Sequence, residues 1–174
     1  MLRHSERFPP EDRVRHHQMP ILVLVLAACG GGSASGPAPS LSATTPEGAV
    51  RLFFQSVADS NVAGMSRLWG TADGPASITG KPQDYVRRME VTQLFLRNSP
   101  YRVTSTTPMA ADSDRKQVQV ELDRVDIDGK RCIRTMQVVV VNTGKQGWIV
   151  EAMDLNQAGT PGRSCTGGAT PSQG

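Results

Sequence analysis

The chain has 174 residues, 38% of them hydrophobic but only 5% aromatic, with 19 Lys and Arg against 16 Asp and Glu. The net charge of +3 is scattered, with Arg87-Arg88 and Lys130-Arg131 as the densest pairs, so the cationic stripe with aromatic partners that marks nucleic-acid binding is missing. All three His residues, His4, His16 and His17, lie near the start, which removes Ser-His, Cys-His and Asp-His mechanisms and most zinc sites from the remainder.

Arg13 and Arg15 precede an apolar run from Ile21 to Leu26. That run is too short to span a bilayer, which takes about 20 residues, but it suits a secretory signal. It ends in Leu26-Ala27-Ala28-Cys29, which resembles the lipobox of bacterial lipoproteins. The resemblance implies that residues 1–28 are a signal peptide removed before Cys29, that the Cys29 thiol receives a diacylglyceryl group, and that the new amine is acylated. More than one acyl chain is what stable anchoring in a lipid bilayer requires. The competing reading, a cysteine closing a buried core segment, fits poorly with the Gly, Ser, Ala and Pro stretch that follows from Gly30 to Ser40. Such a stretch is a flexible tether, assigned here to residues 29–44. The expected location is the cell envelope, at the outer membrane or the periplasmic face of the inner membrane. The absence of an acidic residue directly after Cys29 permits outer-membrane sorting.

Removing the leader leaves 146 residues with 15 Lys and Arg against 13 Asp and Glu, a net charge of +2. Residues 45–155 form one domain, large enough to bury a core unaided. Residues 156–174 read as a loose tail. If Cys29 is lipidated, Cys132 and Cys165 remain, and in an oxidising compartment two thiols read as one disulfide, the alternative being two free thiols.

Thr45-Pro46-Glu47 predicts a helix start, with Thr45 as cap and Pro46 at the first position. Val50, Phe53, Phe54, Val57 and Ala58 recur at helical spacing, and the helix is expected to end near Ser60. Asn61 caps a second helix through Val62, Met65, Leu68 and Trp69. Gly70 to Gly80 reads as a loop. Pro82 opens a third helix through Tyr85, Val86, Met89, Leu94 and Phe95, stopped by Asn98-Ser99-Pro100. The period then changes to two. Strands are expected over 101–107, 117–125, 132–141 and 148–155, with a hairpin turn at Asp128-Gly129 and another over 142–147. Val118, Val120 and Leu122 share one face of their strand, and Gln119, Glu121 and Asp123 the other. Helices followed by a meander of about four strands make an α+β fold.

The run Pro46-Glu47-Gly48-Ala49-Val50-Arg51-Leu52-Phe53-Phe54 resembles the opening helix of the nuclear-transport-factor-2-like superfamily. Asp59-Ser60-Asn61 leading into Leu68-Trp69, and the closing Gly147-Trp148-Ile149-Val150, fit the same pattern. The match covers roughly residues 45–155 and is closer to the superfamily's small secreted lipoproteins than to its enzymes. It implies a curved antiparallel sheet wrapped around helices, a cone that can hold a pocket. The fold hosts enzymes, binding proteins and assembly modules alike, so it assigns no activity.

The enzymes of that superfamily place a carboxylate in the cone, often with a His or Tyr. This chain has no His to offer there. Asp59, Asp73, Asp84 and Glu90 lie on or beside the helices, with Tyr85 near two of them, and solvated helix faces account for them as well. Arg134 shares strand parity with Met136, Val138 and Val140. It either points inward near the mouth of the cone, where it would meet an anionic ligand, or sits exposed or paired with Glu121 or Asp123. Trp69 and Trp148 either line a pocket or belong to the core. The candidate ligand residues are therefore Trp69, Tyr85 and Arg134, with no cofactor and no metal. The expected function is non-catalytic binding of a small ligand or an envelope protein. The alternative is an enzyme of the polyketide-cyclase (SnoaL-like) or ketosteroid-isomerase type using a carboxylate base. An open sheet face that forms a dimer is a third option.

Overall fold

The computed structural model describes residues 42–109 and 112–165, all within the compact unit Pro37–Gly174. Cys29, the leader and most of the tether lie outside the described residues. Helix α1 (Pro46–Ala58) begins as its chemistry demands. Thr45 Oγ1 accepts the Gly48 N–H at 3.0 Å, and Pro46 occupies a position whose N–H would have no partner in the helix. Ser60, in the left-handed region at φ 53°, turns the chain, and the Asn61 side chain accepts the Gly64 N–H to start α2 (Val62–Leu68).

Residues 70–80 depart from the expected loop. They form two short strands, β1 (Gly70–Thr71) and β2 (Gly74–Pro75), and a one-turn helix, α3 (Ala76–Thr79). The glycine at position 70 serves close approach rather than looseness: a Cβ there would lie 2.2 Å from the Gly74 carbonyl oxygen. Pro82 does not open the next helix either. Its carbonyl accepts the Tyr85 N–H in a preceding turn, and α4 runs Tyr85–Leu96.

Strands β3 (Tyr101–Met109), β4 (Asp112–Val125), β5 (Arg131–Asn142) and β6 (Trp148–Met153) make one antiparallel sheet in the order β3-β4-β5-β6, open at both edges. The fold is α+β. β4 starts earlier than its alternation suggests because Lys116 and Gln117 pair with Pro108 and Thr107 of β3. Val118 sits opposite Val138, and Val120 opposite Met136. These four, with Leu122, Val140 and Val150, are fully buried and face Val50, Phe53, Met65, Leu68 and Met89 from the helices. The inside of the sheet is therefore a filled core.

β6 stops at Met153 instead of Leu155. Asp154 Oδ1 accepts the Asn156 N–H at 3.0 Å and caps a further turn, α5 (Leu155–Ala158). Residues 156–165 are built into the fold where the sequence reads as loose tail. Their docking depends on Arg124, which follows Leu122 on the inward face and is 5% exposed. Its Nε donates to Ser164 Oγ at 3.1 Å, its Nη1 to the Phe95 carbonyl at 2.9 Å and to Ser99 Oγ, and its Nη2 to the Gly159 carbonyl at 3.4 Å. Asp126, also 5% exposed, accepts the Cys165 N–H at 3.0 Å. The Cys132–Cys165 disulfide closes the same segment, with Cα atoms 5.6 Å apart.

Two devices thus hold one segment. Arg124→Met should cost about 3 kcal/mol, since it strands buried acceptors. Removing both cysteines should cost about 2–4 kcal/mol. In urea unfolding, the combined variant should lose clearly less than the sum, because either change already frees residues 159–165. Additivity within about 0.5 kcal/mol would show that the two act on different parts of the protein.

Candidate functional site

With the inside of the sheet filled, the hollows lie at its margins. One of them lies between α4 and β6, with a volume of about 430 Å³. Trp69 is among its lining residues. The indole is held there by its own backbone: Trp69 bridges Val150 of β6, and its carbonyl accepts the Ala76 N–H at 2.8 Å. One wall is a stripe of α4, namely Asp84, Arg87, Arg88, Val91 and Thr92, which helical spacing puts on one face. The other wall is Glu151, Met153 and Leu155.

The charges in this cleft are unequally satisfied. Arg88 Nε donates to Asp84 Oδ1 at 3.0 Å. Glu151 is gripped by two bonds from Arg115, at 2.6 and 2.7 Å. Arg87 is exposed and forms no ion pair among the described residues. The Arg88 hydrogen bond holds the Asp84 carboxyl below the usual carboxylate range, with smaller help from the charge of Arg87. A carboxylate with a depressed pKa is a weaker proton acceptor at neutral pH. The cleft therefore offers an apolar floor and one uncommitted guanidinium, and both of its carboxylates are engaged by arginine. That suits an anion with an apolar body.

The three ligand residues expected from sequence do not converge. Trp69 lines the cleft. Tyr85 is half-buried in the first turn of α4 and is outside the cleft lining. Arg134 does share the inward face, opposite Leu122, but its Nε donates to the Gln157 carbonyl at 3.2 Å under α5. It pairs with neither Glu121, which binds Arg102 at 2.6 Å, nor Asp123, which binds Arg131. Trp148 is half-buried against the core, and its N–H donates to the Ala43 carbonyl. Asp59 accepts from Gln55 within α1, and Asp73 and Glu90 are exposed. No group of three metal-binding side chains occurs among the described residues.

Sequence reasoning missed Arg87, Val91 and Met153. Only the tertiary pairing of α4 with β6 brings them together. Arg124 was within reach: the parity that placed Val118, Val120 and Leu122 inward continues through Arg124 to Asp126. A charged residue on that row marks where the core meets another segment. No protein-family model matches the chain, and no curated protein matches it significantly.

The Asp84–Arg88 contact can be read in solution. The carboxyl carbon of Asp84, followed by NMR, should titrate below the free-aspartate value of about 3.9. Arg88→Gln should bring it back up. A depressed folded-state pKa means that the contact favours the folded chain at neutral pH and that this contribution fades as pH falls through the Asp84 midpoint. An unchanged midpoint in Arg88→Gln would show that the contact does not persist.

Proposed function

We propose that this protein is an envelope lipoprotein, anchored through acylated Cys29, whose domain binds a small anionic ligand in the α4–β6 cleft without transforming it. The observation that carries the anchor is one of cysteine accounting. The chain has 3 Cys, and the disulfide joins Cys132 to Cys165. Cys29 is left over, at the end of an apolar run and at the head of a Gly/Ser tether, where a lipidated cysteine stands in the lipobox. A disulfide also fits an exported protein better than a cytoplasmic one. Helices followed by a four-stranded antiparallel sheet support the resemblance to the nuclear-transport-factor-2-like lipoproteins. The chemistry of the cleft supports binding over catalysis, since Asp84 and Glu151 are both held by arginine.

Cys29→Ala should move the protein from the membrane fraction to the soluble periplasm with its fold intact. A variant that stays in the membrane fraction after a high-salt wash, which strips electrostatic contacts, would exclude the anchor. Native mass spectrometry of that soluble chain should then show a co-purifying small molecule, lost in Trp69→Ala and Arg87→Gln. A clean protein mass, or a ligand retained by both variants, would exclude the cleft as its site.

A further inference from the structure

The point where the tether enters the domain is fixed by hydrogen bonds. Trp148 N–H donates to the Ala43 carbonyl at 2.9 Å, and Ser42 Oγ donates to the Gln146 carbonyl at 3.1 Å. Gly147 permits this approach. Its φ is +75°, and a Cβ there would lie 2.3 Å from the Ala43 carbonyl oxygen. The chain therefore joins the domain at the β5–β6 turn, in one orientation.

The surface around that entry combines an exposed apolar side chain with cations. Ser42, Arg67, Pro75, Ser77, Ile78 and Lys145 line a single open hollow of about 610 Å³. Ile78 is 68% exposed on α3, which stands on the buried Ala76. Arg67 and Lys145 are exposed and form no ion pair among the described residues. Across residues 62–81 and 142–147 the charged side chains are Arg67, Lys81 and Lys145 against Asp73 alone. An exposed isoleucine sharing a hollow with two cations that form no ion pair is what an interfacial membrane contact uses.

We infer that this face lies against the anionic phospholipid surface of the bilayer that holds the tether. The inference rests on the anchor reading. From Cys29 to Ser42 is 13 residue steps. A chain of that length spans at most about 45 Å. The face nearest the tether's end is thus kept close to headgroups, and a bilayer is the partner within reach at all times. Its apolar side chain enters the headgroup layer, while Arg67 and Lys145 meet lipid phosphates. The β4–β5 turn, at the far end of β5, then points away from the membrane.

The test uses the full chain carrying Cys29→Ala, purified from the periplasm, in co-sedimentation with vesicles. The chain should bind vesicles of phosphatidylglycerol with phosphatidylcholine, release them as salt rises, and ignore pure phosphatidylcholine. Arg67→Gln and Lys145→Gln should each weaken binding about five-fold. Ile78→Ser should weaken it further, and Lys130→Gln in the β4–β5 turn should leave it unchanged. Equal binding to both vesicle types, or binding that survives the Arg67 and Lys145 changes, overturns the inference. The anchor is judged separately. If the natural chain is unlipidated while these variants still lose binding, the anchor fails and the surface stands. If the natural chain is lipidated while these variants bind as before, the surface fails and the anchor stands.

Discussion

A buried guanidinium organises this domain. Arg124 stands at the end of an otherwise apolar row on β4, where the core of α1, α2 and α4 runs out. Burial pushes its pKa down, the nearby Asp126 carboxylate offsets part of that, and Arg134 adds to it. The charge is tolerable because the planar fork has enough donors to reach several acceptors at once. Those acceptors belong to the last turn of α4 and the loop after it, at Phe95 and Ser99, and to the C-terminal segment, at Gly159 and Ser164. A lysine would supply one point charge and could not hold this set. Through Arg124 the segment after β6 becomes the lid on one end of the core, and the disulfide closes onto a segment that is already docked.

The remaining charges divide into those that are matched and those that are not. On the sheet, Arg102 pairs with Glu121, Arg131 with Asp123, and Arg115 with Glu151. Partly exposed pairs of this kind contribute about 0–1 kcal/mol each, so their main effect is to leave the outer sheet face with little unbalanced charge. Among the exposed cations without an ion pair in the described residues are Arg87 in the α4–β6 cleft and Arg67 with Lys145 beside the tether. The first suits a small anion, the second a surface of anionic headgroups.

Local chemistry made much of the fold legible. Thr45-Pro46 and Asn61 are caps whose effect reaches three residues, and the alternation along β4 assigns Val118, Val120 and Leu122 to the core whatever the neighbours are. Three things were not legible, each for a non-local reason. The glycines and the one proline of 70–80 suggest a loop, but Gly70 lets β1 close onto the Gly74 carbonyl of β2, beside the bridge from Trp69 to Val150. The region after 155 reads as tail from its composition, yet its order comes from Arg124 and Asp126, some 40 residues earlier in the chain. The cleft draws on α4 and β6 together, so neither helical nor strand periodicity could assemble it. Arg134 shows the limit of parity: it shares a face with Met136, Val138 and Val140, but α5, whose Gln157 carbonyl claims its guanidinium, is not legible from that row.

We propose that Cys29 carries the lipid that holds this disulfide-closed domain at the membrane. The direct measurement is the intact mass of the natural protein extracted from membranes, with fragmentation to locate each modification. The account predicts a chain that begins at Cys29, carries a diacylglyceryl thioether and an amide-linked acyl group there, and lacks two hydrogens across Cys132 and Cys165. A membrane-extracted chain that retains residues upstream of Cys29, or carries a free thiol at that position, would contradict it.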